Sequence, residues 1–431
     1  MKILLFCMLI VIGCGKGPIG KWEDPRVILI SIDGLNGDRL IESSFKENCP
    51  NISRLMSLGT FCVNVQSVFP SLTYPAHTSM ISGVTPQKHG IVNNQVFNPD
   101  NNFSDWFWYA DTIKSPTLIT RVRDKGLVSL GVSWPVTVGA PLDYMLPEIK
   151  SVNDSISTVQ LVRKHDKPER FLESAKIRGV VPENGNPTGY VRDLLLHDIF
   201  MDAFKRKRPH LSLYHLIETD YAQHNYGKNS VEAWDAFMFM DSLVGNIMAF
   251  LDENKLWSNT TLIISGDHGF RNYQKQLSIN KLFEEKGWLR IENGRIVEWK
   301  VVGLASGGSA FIRLKNPNDS DFKKRVRIFL SQQEEFETLE RRHMNSLLWS
   351  PLETDFLLLA EKEFCFVKSL DQSYITKKSG GTHGGDPRNV HLKTGYIAAG
   401  RGIDKGKLEN MMVSDIAFQI SALLGINLVP D

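Results

Sequence analysis

Three apolar runs along the chain predict strands that are buried on both faces. They cover residues 26–32, 211–217 and 260–265, and each consists mainly of branched and aliphatic side chains without regular polar alternation. Such runs are typical of the inner strands of a parallel sheet, whose two faces are both covered. The sequence therefore predicts parallel strands at the centre of the fold.

Helical periodicity lies between and after these runs. Residues 190–206, 230–251 and 411–424 are predicted helices. The second of them has an apolar stripe with steps of three and four residues, formed by Phe237, Met240, Val244, Ile247 and Leu251. Strands that alternate with helices predict an α/β fold with a mostly parallel central sheet and helices on both faces.

Two long stretches depart from this alternation. Residues 135–190 and 270–380 are richer in proline, glycine, asparagine and charged residues, and their periodicity is weaker. We interpret them as insertions and an accessory lobe of one catalytic domain that spans residues 26–431.

The N-terminus predicts export. Lys2 precedes an apolar run of about 11 residues, which is too short to span a bilayer but suits the core of a secretory signal. The segment Val-Ile-Gly-Cys that ends at Cys14 resembles a bacterial lipobox, so we expect residues 1–13 to be removed and Cys14 to be lipidated. Residues 14–25 would then be a linker, and the lipid would anchor an exported protein at the membrane. An ordinary cleaved signal is the alternative.

Charge and cysteine content narrow the class of protein. The 431 residues include 50 Lys and Arg and 48 Asp and Glu, a net charge of +2, which excludes a nucleic-acid binder that works through bulk positive potential. Five cysteines in this length exclude a disulfide-stapled small fold. Cys49, Cys62 and Cys365 would remain within the fold, where at most one disulfide is possible, and a bond between Cys49 and Cys62 is left open.

Aspartates and histidines, which are residue types that can bind metal ions, are found where the predicted strands end. They are Asp33 after the first strand, Asp220 and His224 after the second, Asp267 and His268 after the third, and His383 in a glycine-rich segment that we expect to form a loop. Each alone is explained as a cap, a turn residue or a surface histidine. Together they are expected at one edge of the sheet, because ligands bind at the carboxyl ends of parallel strands. Carboxylates and imidazoles without thiolates suit two Zn²⁺ or similar divalent ions in a hydrolytic site.

Six short motifs follow one another in a fixed order. They are Asp33-Gly34, residues 69–77, residues 82–91, Asp220-x-x-x-His224, residues 266–269 and residues 382–384. In this order they resemble the nucleotide pyrophosphatase/phosphodiesterase family of the alkaline phosphatase superfamily, from about residue 26 to residue 425. The resemblance implies an alkaline-phosphatase-like fold. It also implies a metal-dependent hydrolase that cleaves phosphodiester or pyrophosphate bonds of nucleotide-like substrates.

The resemblance further implies the role of each ligand. Thr73 would be the nucleophile and would form a phospho-threonine intermediate. One ion would be held by Asp33, Asp267 and His268 together with Thr73, and the second by Asp220, His224 and His383. The position of Thr73 agrees with this role, because Pro75 fits the first turn of a helix whose free N–H groups favour an anion.

Three more residues are candidates for contacts with the substrate. By resemblance, Asn94 would bind a non-bridging phosphoryl oxygen, and Tyr74 would stack on a nucleobase. Tyr144, ten residues after Trp134, is a weaker candidate for the opposite face of the base.

Alternatives to this function stay open. A phosphonate hydrolase, a phosphomonoesterase and a phospholipid headgroup-releasing phosphodiesterase would share the metal site. The non-enzymatic alternative is a surface lipoprotein that uses the fold only for binding, but such a protein has no need of both Thr73 and two metal sites. No arginine near the motifs is placed for a dianionic monoester, which favours diesters. The predicted partner is a small phosphate ester, and no obligate protein partner is predicted.

Overall fold

The computed structural model describes residues 17–152, 156–177, 183–340 and 354–428. Within them the strands are β1 (Arg26–Ile32), β2 (Thr60–Gln66), β3 (Ser129–Val132), β4 (Tyr144–Leu146), β5 (Leu211–Leu216), β6 (Thr260–Ser265), β7 (Arg271–Leu277), β8 (Leu289–Glu292), β9 (Arg295–Trp299), β10 (Val301–Ser306), β11 (Ser309–Leu314), β12 (Phe336–Glu340), β13 (Phe356–Ala360), β14 (Phe364–Phe366), β15 (Ile375–Thr382), β16 (Thr394–Gly400), β17 (Gly406–Leu408) and β18 (Met411–Met412). The α-helices are α1 (Ser43–Asn48), α2 (Pro50–Leu58), α3 (Thr73–Ser82), α4 (Pro86–His89), α5 (Leu118–Asp124), α6 (Thr158–His165), α7 (Phe171–Ser174), α8 (Gly189–Lys207), α9 (Glu218–Tyr226), α10 (Val231–Glu253), α11 (Ile279–Glu285), α12 (Ser320–Leu330) and α13 (Asp415–Leu424).

A nine-stranded sheet forms the centre of the fold. Its order is β17-β2-β16-β6-β1-β5-β3-β4, with β18 also paired to β2. The strand β16 is antiparallel to both of its neighbours, and the other pairings in the sheet are parallel. The prediction of a mostly parallel sheet is confirmed, and the three predicted strands are its adjacent members β5, β1 and β6.

Helices cover both faces of this sheet. Along β1, Ile28, Ile30 and Ile32 join a core cluster with side chains from α2, α8 and α10. The alternate residues Val27 and Leu29 join a second cluster with side chains from α3, α5 and α13. Because successive side chains of a strand point to opposite faces, a continuous apolar run is what two covered faces require. The predicted α/β architecture is thereby confirmed.

Among the described residues, three smaller sheets, one of them the two-stranded pair β8-β9, lie in and at the edge of the stretch 270–380. Of the other two, one is four-stranded, antiparallel and ordered β10-β11-β13-β12, and the other is ordered β14-β7-β15. Side chains of the four-stranded sheet pack with those of α11 and α12 into a separate hydrophobic cluster. This cluster gives the stretch its own core beside that of the central sheet.

The predicted helix bounds are close to those observed, with one exception. The helices predicted over 190–206 and 230–251 correspond to α8 and α10. The predicted helix over 411–424 begins only at Asp415. Met411 and Met412 instead pair with β2, and the Met412 N–H donates to the Asp415 carboxylate at 2.8 Å. Strand pairing therefore overrides helical spacing at the start of this segment.

The cysteines of the fold are thiols. Cys49, Cys62 and Cys365 are all buried and unbonded. Cys49 and Cys62 belong to core clusters on opposite faces of the central sheet, so the open question of a bond between them is answered in the negative.

The predicted signal, its cleavage site and Cys14 lie outside the described residues. In the predicted linker, Trp22 packs against Phe204 and Phe250, with ring centroids 5.6 and 5.8 Å apart. Among the helices of the described ranges, none combines the length and the apolar character needed to cross a bilayer.

Candidate active site

The first group of candidate ligands lies at the ends of β1 and β6. The Nε2 atom of His268 is 3.1 Å from Asp267 Oδ2 and 3.4 Å from Asp33 Oδ1. All three side chains are buried, and none of these three atoms has a hydrogen-bond partner among the residues that the structure describes. Burial raises the pKa of Asp33 well above its ordinary value, and the charges of Asp267 and Asp220 raise it further. Burial also lowers the pKa of His268 well below its ordinary value.

Two glycines allow these ligands to approach one another. Gly34 has φ +70°, a left-handed conformation that side chains disfavour, and its N–H donates to Asp267 Oδ1 at 3.0 Å. A Cβ atom at Gly266 would lie 2.1 Å from Thr394 Oγ1. The Asp-Gly and Gly-Asp pairs therefore let the turns after β1 and β6 lie side by side.

The second group of candidate ligands is more open. Asp220 and His224 are one turn apart on α9, with 3.4 Å between Asp220 Oδ1 and His224 Nε2. His383 Nε2 is 3.0 Å from His224 Nε2 and 3.5 Å from Asp220 Oδ1. His383 directly follows β15, which includes the preceding glycines and ends at Thr382, so it lies in a loop as predicted, and its side chain is buried. Gly381 permits this packing, because a Cβ there would lie 2.4 Å from the Gln223 carbonyl oxygen.

The two groups fit divalent metal ions. Asp220 offers an oxygen to both groups, so the groups are neighbours. The Nδ1 atoms of His224 and His383 lie 3.0 and 2.9 Å from the carbonyl oxygens of Gly381 and Ser71, which fixes Nε2 as the free nitrogen of each ring. Orphaned carboxylate oxygens and ring nitrogens that converge in a buried place are costly unless a cation is bound. Six oxygen and nitrogen donors without thiolate suit Zn²⁺ or a similar ion.

Thr73 starts the helix that adjoins both groups. It is the first residue of α3, and the preceding Leu72 is extended. The Nδ1 atom of His77, one turn later, lies 2.8 Å from the Thr73 carbonyl oxygen and 3.7 Å from Asp267 Oδ2. Leu72 in turn lines a cavity of about 420 Å³ together with Asn94, His224 and His383. The start of α3 is thus linked to the buried group through His77 and to the cavity through Leu72.

Comparison with known proteins identifies the family. The family model of type I phosphodiesterase/nucleotide pyrophosphatase matches residues 27–386. The chain belongs to this family. The predicted membership is therefore confirmed.

Two human relatives match different shares of this chain. Human ectonucleotide pyrophosphatase/phosphodiesterase family member 1 is 23% identical over 433 residues, which cover 95% of this chain and 40% of the relative. Human bis(5′-adenosyl)-triphosphatase is 24% identical over 264 residues, which cover 59% of this chain and 50% of the relative. The matches thus span two fifths to one half of these longer proteins.

A solved structure shares the fold. Mouse ectonucleotide pyrophosphatase/phosphodiesterase 5, an inactive threonine-to-alanine variant in complex with AMP, superimposes with a TM-score of 0.68 and 18% identity. The match covers 95% of this chain and 96% of the mouse chain. It agrees with the alkaline-phosphatase-like fold that the family resemblance implies.

Of the three predicted substrate contacts, only Asn94 lines the cavity. Its Oδ1 accepts the Tyr74 N–H at 2.9 Å. Tyr74 is fully buried and packs edge-on against Trp106, with the ring centroids 5.4 Å apart. Its ring is therefore covered, and the expected open stacking face is not seen. Trp106, which is only partly buried, is the more accessible ring.

Tyr144 is not brought to the site. It is fully buried, its ring packs against Phe171 with centroids 5.8 Å apart, and its hydroxyl donates to the Pro18 carbonyl oxygen at 2.8 Å. Tyr144 is the first residue of β4, whereas the ligands follow the carboxyl ends of their strands. The placement of Tyr144 against a nucleobase is corrected for this reason.

A hydrogen-bonded chain behind Asp33 was not predicted. His215 Nε2 is 3.1 Å from Asp33 Oδ2, and His215 Nδ1 is 3.1 Å from Glu148 Oε2. The Tyr74 hydroxyl donates to the other Glu148 oxygen at 3.1 Å. Burial lowers the pKa of His215, but the hydrogen bonds and charges of Asp33 and Glu148 outweigh it and raise the pKa to about 10. Glu148 stands two residues after β4 ends, so the strand-end rule would have found it.

Proposed function

We propose that this chain is a metal-dependent hydrolase of phosphodiester or pyrophosphate bonds in nucleotide-like substrates, with Thr73 as the nucleophile. The observation that carries the proposal is the convergence of candidate metal ligands into two groups that share Asp220, near the helix that Thr73 begins. Among the described residues, the carboxylate oxygens Asp33 Oδ1, Asp220 Oδ1 and Asp267 Oδ2 have no hydrogen-bond partner. Family membership supports the same reaction class.

Six side chains would hold two ions, Asp33, Asp267 and His268 at one position and Asp220, His224 and His383 at the other. Thr73 would add its hydroxyl to the first set. When bound, the ions would lower the pKa of the attacking hydroxyl and water and oppose the charge of the phosphoryl oxygens. We take both to be Zn²⁺, because the donor set is carboxylate and imidazole.

The residues of the chain then divide the reaction into two steps. Thr73 Oγ1 attacks phosphorus, an O–P bond forms, and the bond from phosphorus to the leaving oxygen breaks. Water hydrolyses the resulting phospho-threonine, which releases the phosphate ester and restores the hydroxyl. Asn94 holds the Tyr74 N–H through its Oδ1, which leaves its side-chain N–H groups for a phosphoryl oxygen. The Thr73 N–H at the start of α3 would face the same charge, because the Tyr74 N–H is bound to Asn94, Pro75 has none and the Ala76 N–H donates to the Leu72 carbonyl oxygen.

Replacement of Thr73 tests the mechanism. Thr73→Ala is expected to abolish turnover while the protein keeps its bound metal, and Thr73→Ser is expected to retain part of the activity. Thr78→Ala is a control in the same helix, since the Thr78 hydroxyl donates to the Tyr74 carbonyl oxygen at 2.8 Å and not to the site. Steady activity in Thr73→Ala would refute the nucleophile.

A substrate panel tests the substrate class. A nucleotide 5′-diester should be cleaved faster than a phosphomonoester, a phosphocholine ester or a phosphonate. A preference for any of the last three would assign the site to one of the alternative hydrolases. Export and lipidation at Cys14 are part of the proposal, and labelling of the expressed precursor with a fatty acid in wild type and Cys14→Ala checks them.

A further inference from the structure

Two lysines lie against one tryptophan beside the candidate active site. The Lys150 Nζ atom is 3.7 Å from the ring centroid of Trp106, and the Lys368 Nζ atom is 5.8 Å from it. Tryptophan offers the strongest aromatic face for a cation, so the ring helps to hold the two ammonium groups near each other. Lys150 comes from the loop after β4, whereas Lys368 follows β14 of the accessory sheets. The fold therefore brings two like charges together from distant segments.

The two ammonium groups lack a carboxylate partner. Within the described ranges neither forms an ion pair, and Lys368 donates to the Gln95 amide oxygen instead. Glu148 and Asp220 are the acidic groups that act on Lys150, but both are engaged elsewhere. Glu148 binds Tyr74 and His215, and Asp220 lies among the candidate metal ligands. Two unneutralised cations at one place favour an anion that comes from outside the protein.

The surroundings of the lysines are concave and open to solvent. Lys368 lines the cavity of about 420 Å³ to which Asn94, His224 and His383 contribute. Lys150 lines a second cavity of about 370 Å³ beside Glu148 and Ser133. Both lysines remain accessible in these cavities. Burial and the charge of Lys150 together lower the pKa of Lys368 to about 8, so Lys368 is still largely protonated at pH 7.

We propose that Lys150 and Lys368 form a specificity subsite for a second phosphoryl group of the substrate, adjacent to the phosphorus that Thr73 attacks. The subsite rests on the proposed function, and it narrows the substrate class to compounds with a pyrophosphate linkage, such as nucleoside polyphosphates. A plain phosphodiester carries its single negative charge at the attacked phosphoryl group and has no second phosphoryl group for the two lysines. Such a substrate uses the metal ligands and Thr73 alone.

Paired kinetics with two substrates test the subsite. The p-nitrophenyl ester of a nucleoside 5′-monophosphate has no second phosphoryl group, whereas a nucleoside triphosphate has two beyond the α-phosphoryl group. Lys150→Met and Lys368→Met keep most of the apolar stem and remove the charge. We expect each to raise KM for the triphosphate about tenfold, the usual worth of one charged hydrogen bond, and to leave kcat and KM for the ester within about twofold. The Lys→Arg variants keep the charge and should restore most of the affinity.

Lys275→Met is the matched control. Lys275 also lies over an aromatic ring, with Nζ 5.3 Å from the Phe364 centroid, but it is paired with Glu363 and lines neither cavity. Its kinetics with both substrates should equal those of the wild type. Thermal unfolding of each variant shows whether the fold is intact.

Direct binding separates the subsite from catalysis. Inorganic pyrophosphate is titrated calorimetrically into the metal-loaded wild type and into the Lys150→Met, Lys368→Met variant. Loss of about tenfold or more in pyrophosphate affinity supports the subsite, even if the wild type cleaves neither substrate and the proposed function fails. Equal changes for the two substrates, or unchanged pyrophosphate binding, would overturn the subsite while the hydrolase stands.

Discussion

The two groups of candidate ligands differ in how they meet solvent. In the first group the side chains of Asp33, Asp267 and His268 are 3%, 0% and 0% exposed. In the second group His224 is 40% exposed and Asp220 19% exposed. The first group follows strands at the centre of the sheet, whereas the second combines α9 with the end of β15 from a smaller sheet. One group is thus enclosed by the core, and the other opens on a cavity.

When no ion is bound, the two groups therefore reduce the stability of the folded protein to different extents. Asp33 and Asp267 are buried carboxylates at close range, and like charges in a buried place oppose folding. His224 is solvated and costs little. A cation bound to the enclosed group offsets the repulsion between its carboxylates. Because metal binding and folding are linked equilibria, the bound cation stabilises the folded protein. We therefore expect the enclosed group to dominate stability and the open group to dominate exchange with solution.

The largest effect is expected from Asp267→Asn. The amide keeps the Oδ1 acceptor for the Gly34 and His268 N–H groups, both at 3.0 Å, but it removes a ligand charge. Loss of an ion that stabilises the phosphoryl oxygens should reduce kcat by about a thousandfold or more. Steady-state kinetics and metal analysis of the same preparation check this. A variant with normal activity would remove Asp267 from the ligand set.

The same substitution should act on stability with the opposite sign. Without metal, Asp267→Asn is expected to stabilise the protein by about 1–3 kcal/mol, since it relieves the buried charge that raises the pKa of Asp33. Because the pKa of Asp33 in the folded state lies above its unfolded value, the protein loses stability as pH rises through the folded-state pKa. The stabilisation by Asp267→Asn should therefore grow from mildly acidic to neutral pH. Asp241→Asn is the control. Asp241 is a buried carboxylate of α10 that belongs to neither ligand group and accepts the Ile52 N–H at 2.7 Å, so this substitution should only destabilise the protein. Chemical denaturation at several pH values measures both, and a less stable metal-free Asp267→Asn would contradict the cost assigned to the enclosed group.

The open group is tested by His224→Asn. His224 is one of three ligands and is partly exposed, so its loss should weaken one ion by about 10–100-fold rather than disrupt the core. Activity should fall at low metal concentration and recover when excess Zn²⁺ is added. The free energy of unfolding of the metal-free protein should stay near that of the wild type. Failure of added metal to restore activity would indicate that His224 acts in some other way.

Chelation compares the two groups in one experiment. A chelator should remove the ion of the open group first, because its ligands are accessible, and the ion of the enclosed group in a slower phase. Metal release followed against time should therefore show two phases, and activity should be lost with the first. A single phase for both ions would show that the difference in exposure does not control exchange.

Much of the enclosed group was predictable from sequence. Asp33 and Asp267 follow continuous apolar runs, and such runs become neighbouring parallel strands whose ends meet. The two strands β1 and β6 are in fact paired in register, with Ser31 opposite Ser265. Local sequence patterns suffice to predict these two ligands, because buried parallel strands leave few other positions for the residues that follow them.

The open group and the substrate contacts depended on tertiary packing. His383 lies in a loop as predicted, but it reaches the site because β15 pairs with β7 up to Thr382, and the glycine-rich sequence gives no local signal of that pairing. Tyr144 was placed by its distance from Trp134, which gives no information on the end of β4 at which it lies. Lys150 and Lys368 meet only because separate parts of the chain close around Trp106, and no spacing in the sequence expresses that.

The smallest effect is expected from Glu148→Gln, which leaves both ligand groups in place. Glu148 holds His215, and His215 in turn holds Asp33 Oδ2, so the amide would misplace a ligand of the enclosed group without removing it. Loss of such an outer contact is expected to lower kcat/KM and metal affinity about tenfold. Glu173→Gln is the matched control in the same stretch of chain, because Glu173 pairs with Arg163 at 2.6 Å outside the site. If the two variants behave alike in metal affinity, the hydrogen-bonded chain behind Asp33 has no part in positioning it. If only Glu148→Gln weakens metal binding, the enclosed group depends on the loop after β4 as well as on its strands.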